Sequence, residues 1–235
     1  MKWRSLQESG VQSDLRPLRE IFAERKQAIA RYVPADVQAV HTRTVASLKE
    51  QRLAARALEV FGLGAKFPPF ELPDHSGKLV SSSELLANGP LVVAFIRGRW
   101  CPFCVGQMEA MSSIAGEIKA AGASLFAVSS QTEKQAFFMH DQHRLAFPLL
   151  VDAHNELARR LGLVYRVPEE QVALYSRTFV NLPFANGDPS WELPIPATFV
   201  LRRDGDREGT IVFASANEDY TDRPEPLEIL SAIRK

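Results

Sequence analysis

Cys101-Pro102-Phe103-Cys104 is the stretch of this 235-residue chain whose residue types and spacing point most directly to chemistry, and it holds both cysteines. Two thiols this close suit electron-pair transfer, because a disulfide between them closes a small ring that an outside thiol can reopen. The motif follows an apolar run, Leu91 to Ile96, that reads as a buried strand, and it opens a segment that reads as a helix. Residues i and i+3 are neighbours on a helix, so the two sulfurs are expected side by side. The free N–H groups and positive dipole end of a first turn favour a sulfur anion. Pro102 fits just inside such a start, where its missing donor is no loss. Trp100 and Phe103 are expected to shield the sulfurs in part and leave one face open. Arg97 and Arg99 are near enough in sequence for either guanidinium to stabilise a thiolate or a departing oxyanion.

Two structural uses of the motif compete. A zinc site wants four ligands, yet there is no second cysteine pair, and the five histidines (His41, His75, His140, His143 and His154) are scattered. Two inert buried thiols are the other alternative. The strand–C-x-x-C–helix context favours redox chemistry, with no metal and no bound cofactor beyond the cysteine pair itself. Bulk properties agree. With 28 basic and 28 acidic residues, no global field recruits nucleic acid or an anionic membrane. Residues 1–60 hold 11 Lys/Arg against 7 Asp/Glu, too mild a bias to argue for a polyanion. Residues Met1 to Glu8 show no apolar signal-peptide core, and no apolar stretch approaches the ~20 residues of a membrane span. The expectation is a soluble, cytoplasmic protein with no membrane partner, whose thiols are reduced between turnovers and whose disulfide is transient.

Positioning elements follow from periodicity. Residues 1–60 read as a two-helix arm: Leu15, Leu18, Ile21, Phe22, Ile29 and Tyr32 before Pro34, then Val37, Val40, Thr44, Leu48 and Leu58, with Asp36 as N-cap. Its apolar stripe must be covered by the main domain or by a second subunit, and a homodimer through the arm is one way to do so. From Phe61, apolar runs alternate with helices: Leu91–Ile96, a helix with Val105, Met108, Met111, Ala115 and Ile118 inward, Leu125–Val128, a helix near Lys134–Arg144, Phe147–Val151, and a helix at Asn155–Leu163. Ala197–Leu201 and Ile211–Ala214 read as an antiparallel pair across an Asp204-Gly205 turn, and Pro226–Ile233 closes the chain as a helix. This pattern means an α/β sheet with parallel members. Residues 166–194 read as an insertion without strands, part helix over Pro168–Arg177. Glu109 reads as a surface residue, Trp100 and Trp191 read equally as pocket lining or as core or lid packing, and Gln107 and the polar stretch Asn217–Arg223 carry no assigned chemistry.

Three segments resemble a known family. Gly64, Pro68, Phe70 and Leu72 to Val80 resemble the entry segment of peroxiredoxins and of thioredoxin-like reductases. Phe95 to Cys104 resembles the active-site turn of peroxiredoxin-like proteins in the alkyl hydroperoxide reductase/thiol-specific antioxidant group, and Pro194 to Val200 the thioredoxin-fold segment that faces it. The resemblance runs from about Phe61 to the C-terminus and implies a thioredoxin-like fold, a central mixed sheet flanked by helices, with residues 1–60 as a helical extension. It implies an antioxidant thiol peroxidase that reduces hydrogen peroxide or organic hydroperoxides through a dithiol/disulfide cycle, reset by a thioredoxin- or glutathione-type reductant. Aligned on the family's Pro-x-x-x-Thr-x-x-Cys signature, Cys104 takes the peroxide-attacking position, Cys101 the threonine and Arg97 the proline. The family's second arginine falls on Pro196. Proline there is the thioredoxin-type choice, where it is cis and exposes backbone to a disulfide substrate, and thioredoxin counting makes Cys101 the nucleophile. A protein-disulfide reductase is therefore the alternative, and a redox-sensing interaction module a more distant one.

Overall fold

The computed structural model describes residues 16–178, 180–203 and 209–235. Three helices come first: α1 (Leu18–Tyr32), α2 (Ala35–Gln51) and α3 (Leu53–Val60). A short strand β1 (Lys66–Phe67), the hairpin β2 (Glu71–Pro73) and β3 (Leu79–Ser81), and helix α4 (Ser82–Asn88) lead into β4 (Leu91–Phe95). Next follow α5 (Pro102–Ser113), α6 (Ala115–Ala120), β5 (Ser124–Ser129), α7 (Glu133–Gln142), β6 (Leu149–Val151) and α8 (Glu156–Arg160). The remainder comprises β7 (Val164–Arg166), α9 (Glu169–Ser176), α10 (Leu182–Asn186), β8 (Glu192–Pro194), β9 (Ala197–Arg203), β10 (Gly209–Ala216) and α11 (Pro226–Arg234).

The main sheet has the order β1-β10-β9-β4-β5-β6. Strands β4, β5 and β6 are parallel, while β9 runs antiparallel to β4, and β10 and β1 continue that antiparallel half. This is the central mixed sheet expected of a thioredoxin-like fold. Every residue of β4 is buried, because both of its faces are covered by other elements. Alternation along the strand sends Val92, Ala94 and Ile96 into one core with α1, α5 and α11. Leu91, Val93 and Phe95 enter a second core with Phe67, Tyr165 and Phe199. In the β4/β9 register Thr198 lies opposite Ala94, which places it on the α5 face.

The helical extension is not free-standing. Leu18, Ile21 and Phe22 of α1 are buried in the core that contains Cys101 and Phe103, and Leu48, Ala54 and Ala57 join the second core. The stripe that motivated a dimer is therefore buried within the chain itself at Leu18, Ile21, Phe22, Val40, Thr44 and Leu48, while Tyr32 at the end of α1 is exposed; Leu15 lies outside the described residues. One carboxylate pins the arm at its start. Glu225 accepts the Leu18 and Arg19 amides at 2.7 and 2.9 Å and is also the N-cap of α11, in a capping box with Glu228. Gly106 of α5 lets the arm come close, since a Cβ there would sit 2.6 Å from Arg25 Nη1 and 2.9 Å from Phe22.

Several expectations need correction. Among its described residues the arm holds three helices, because Arg52 adopts a left-handed conformation (φ 52°) and breaks the run into α2 and α3. Pro34 rather than Asp36 is the cap position of α2; Asp36 lies in the first turn, where its charge suits the dipole. The segment from Val105 to Ile118 breaks at Ile114 into α5 and α6. Residues 166–194 are bounded by strands: Tyr165 pairs with Leu193 and Arg166 with Glu192, so β7 and β8 close the base of the excursion that carries α9. Three-residue strands with mixed burial carry too little alternation to be read from sequence. The Asp204-Gly205 turn lies outside the described residues, although β9 and β10 pair antiparallel as expected.

Candidate active site

Cys101 is the N-cap residue of α5 and Pro102 its first helical residue, so Cys104 sits in the first turn, with its amide among those that no helical carbonyl satisfies. Gly98 makes the preceding turn. Its φ of 140° is costly for other residues, and an added Cβ would lie 2.8 Å from Trp100 Nε1. The two cysteines are unbonded, and the Cys101 thiol hydrogen-bonds to Cys104. Around Cys104 Sγ converge the Arg97 amide at 3.4 Å and the Arg223 guanidinium, whose Nη2 is also at 3.4 Å. The Arg97 side chain turns to the other sulfur, with Nη1 3.8 Å from Cys101 Sγ.

Burial alone would push both thiols up. For Cys104 that effect is outweighed by the Cys101 hydrogen bond, by the charges of Arg223 and Arg97, and by the Arg97 amide, which together hold it well below the ordinary thiol value. For Cys101, burial, the hydrogen bond it gives and the neighbouring Cys104 charge act together, so it stays a thiol. These opposite directions favour the proton on Cys101 and the negative charge on Cys104.

Arg97 is buried, with a relative exposure of 2%. Its guanidinium lies 4.2 Å from the Tyr220 ring centre and 4.7 Å from that of Trp100, and Nη2 donates to Tyr175 Oη at 2.8 Å. Tyr175 belongs to α9 and also accepts from Gln171 Nε2 at 2.7 Å; Gln171 in turn meets His41 Nδ1 of α2 at 3.0 Å. The excursion and the helical arm thus meet over the arginine. Arg99 does not join the site. It is exposed, its Nε donates to Gln135 Oε1 at 2.7 Å, and its head lies 6.0 Å from the Phe138 ring centre. Positions 97 and 99 would share one face if the backbone stayed extended; the turn at Gly98 (φ 140°) breaks that alternation and sends the two side chains apart.

Sequence reasoning missed Arg223 and Gln107. Arg223, in the loop between β10 and α11, is fixed by Gln107 Oε1 at 2.8 Å and by the Tyr220 carbonyl at 2.8 Å from Nη2. Gln107 is buried on α5 and reaches Thr198 Oγ1 at 3.4 Å. The one available signal was indirect: the arginine lost at position 196 had to be supplied from elsewhere. Glu109 is likewise buried rather than on the surface, paired with His143 at 3.1 Å. Trp191 is partly buried and packs against the second core.

Pro196 departs from the thioredoxin-type expectation. Among the described residues no peptide bond is cis. Pro196 is buried, and its carbonyl accepts from the Asn217 amide at 3.2 Å, so the hairpin itself uses the backbone that a disulfide substrate would need. The open face expected beside the sulfurs is also covered: Cys101 is 1% and Cys104 0% exposed. Phe22 stacks edge-on to Phe103 at 5.0 Å, Arg25 donates to the Pro102 carbonyl, and Tyr220 closes on Phe103 at 5.9 Å.

Comparison with known proteins bears on the family and the fold. The AhpC/TSA family model matches residues 63–208. A putative peroxiredoxin of Mycobacterium tuberculosis is 31% identical over 112 residues, 47% of this chain and 72% of that protein. Among solved structures, peroxidoxin BcpB of M. tuberculosis superposes with a TM-score of 0.55 at 22% identity, over 73% of this chain and 96% of that one. Peroxiredoxin Q of Xanthomonas campestris gives 0.51 at 19%, over 70% and 89%. AhpC of Enterococcus faecalis gives 0.55 at 16%, over 73% and 89%. At these identities the superpositions speak to the fold alone. Arg223, His41, Phe22 and Arg25 all lie outside the stretch matched by the family model. By the family model and its peroxiredoxin relatives, the chain belongs to the AhpC/TSA family of thiol-dependent peroxidases.

Proposed function

We propose that Cys104 is the peroxide-attacking thiolate, that Cys101 resolves it, and that the Cys101–Cys104 disulfide is reset by an external thiol. The observation that carries this reading is the division of roles around the sulfurs: Arg223, the Arg97 amide and the Cys101 thiol all stabilise negative charge on Cys104. The Cys104 sulfur attacks one peroxide oxygen, the O–O bond breaks, and Cys104 becomes a sulfenic acid. The departing oxygen takes the proton held by Cys101, giving water or an alcohol. The Cys101 thiolate then attacks the sulfenic sulfur, and hydroxide leaves and is protonated from solvent to a second water.

Arg223 also lines a surface groove between β10 and the following loop, beside Ser215 and Asn217, which supports that side as the approach for a small hydroperoxide. A folded protein disulfide has no comparable approach to a sulfur that is 1% exposed, which weighs against the reductase alternative. Resetting by a thioredoxin- or glutathione-type thiol requires part of the cover over α5 to open, and no bound cofactor is needed. A cytoplasmic setting suits such a cycle; among the described residues no helix is long and apolar enough to cross a membrane.

The test uses the two serine variants with one equivalent of hydrogen peroxide and a sulfenic-acid-specific probe. Cys101→Ser is expected to hold a trappable sulfenic acid on Cys104, and Cys104→Ser to consume peroxide no faster than a free thiol. The opposite assignment of the label would overturn the proposal. Insulin-disulfide reduction without peroxide consumption would favour the reductase.

A further inference from the structure

A buried guanidinium needs an anion, and the surroundings of Arg97 offer an unusual one. Its Nε is buried without a hydrogen-bond partner, and no carboxylate contacts the group among the described residues. Its neighbours are the rings of Trp100 and Tyr220, the Tyr165 and Tyr175 hydroxyls, which are neutral phenols, and the Cys101 sulfur. Aromatic faces attract a cation but do not neutralise it. An unpaired buried charge is costly, so the resting negative charge on the cysteine pair is what balances Arg97.

Peroxide attack removes that charge. When Cys104 becomes a neutral sulfenic acid, the departing oxygen carries the electrons away from the site, and Arg97 loses its counterion unless another forms. The one acidic group its side chain touches with a proton already committed to leave is the Cys101 thiol, 3.8 Å from Nη1. The titratable or charged groups facing Cys101 are Cys104, Arg97, Arg223, Arg25 of α1, Tyr165 of β7, Tyr175 of α9, and Tyr220. Three of these are cations and none is a carboxylate.

We propose, on the basis of the peroxidase reading above, that Arg97 is a catalytic residue of disulfide formation: the role of its counterion passes from Cys104 to Cys101, which it holds as the thiolate that attacks the sulfenic sulfur. The two arginines then divide the cycle, Arg223 serving the sulfur that meets peroxide and Arg97 the sulfur that closes the ring. The bookkeeping is complete. Cys101 gives its proton to the oxygen that leaves the peroxide, the new S–S bond forms as the S–O bond breaks, and hydroxide departs. Tyr175, through its hydrogen bond to Nη2, is a positioning residue for this step.

The experiment compares wild type, Arg97→Met and Arg97→Lys in single turnover, reading consumption of the first peroxide equivalent and disulfide closure separately. Closure is followed by quenched alkylation and mass spectrometry. Arg97→Met is expected to close at least about tenfold more slowly, one thiol pKa unit or more of lost stabilisation, while the first step changes less than closure. Its closure rate should climb as pH is raised, and excess peroxide should accumulate sulfinic acid on Cys104. Arg97→Lys should recover part of the rate. Equal slowing of both steps, or closure as fast as wild type, overturns the inference. Should Arg97→Met fail to fold, Tyr175→Phe reads the same step: slower closure with an unchanged first step supports the assignment, and unchanged closure overturns it. If wild type itself forms no Cys101–Cys104 disulfide, the underlying peroxidase reading has failed instead.

Discussion

Replacing Arg223 with methionine should move the acid limb of the peroxide reaction. The guanidinium stands 3.4 Å from Cys104 Sγ and is held there by Gln107 and the Tyr220 carbonyl. Opposite unit charges about 4 Å apart attract by about 4 kcal/mol at an effective dielectric constant of about 20. Arg223 is half-buried rather than sealed, and Arg97 and the start of α5 share the stabilisation. About a third of the full attraction, ~1.4 kcal/mol, is a reasonable loss, and it equals one pKa unit. The sign is set by the direction of the shift. Cys104 is held below the ordinary thiol value, so its thiolate persists to low pH, and losing Arg223 raises the pH at which the thiolate disappears. Stopped-flow consumption of the first peroxide equivalent from roughly pH 5 to pH 9 reads this directly. The half-maximal point should rise by about one unit, with about tenfold slower reaction below it and recovery at high pH. Arg223→Lys should lie between the two. An acid limb unmoved in the methionine variant would refute the role given to this cation.

Two more predictions test the arm and its contact with the site. His41 is held down to about 4 by burial and by the charge of Arg97. The unfolded chain takes up a proton near 6.5 that the folded chain refuses until about 4, so stability falls as pH drops through that window. The loss is at most about 3 kcal/mol, and less to the extent that the ring meets solvent. His41→Gln should flatten the decline in urea-unfolding free energy between pH 7 and pH 4.5, and an identical slope would count against it. Phe22→Ala removes a buried ring stacked edge-on to Phe103 and should cost about 3 kcal/mol by urea unfolding. It should also quicken reaction of the cysteine pair with a bulky maleimide; unchanged labelling would show that α1 is not part of the cover.

The cover explains why a motif so legible in sequence sits in a site that was not. Pro102 at the first helical position, the apolar run Leu91 to Ile96 and the i,i+3 spacing of the cysteines are local features, and the local structure follows them closely. Exposure is not local. Whether Cys101 meets solvent depends on α1 docking across α5, which rests on Glu225 accepting two amides more than two hundred residues away. Periodicity in α1 marked an apolar stripe without naming what it meets. Gln107 and Glu109 illustrate the same limit, since polar residues in a helix read as surface until a partner is known, and both are buried beside one.

From the order of residues alone came the cysteine pair, the strand and helix that hold it, the mixed α/β sheet and the family resemblance, because each rests on spacing along a short stretch of chain. Tertiary structure alone decided which cation lies against which sulfur. Arg99, two residues from the motif, turns away to Gln135, while Arg223, more than a hundred residues on, reaches Cys104. Electrostatic stabilisation falls off over a few ångströms of space and takes no account of distance along the sequence, so the residues that set thiol chemistry are chosen by how the sheet, the arm and the final loop close on one another.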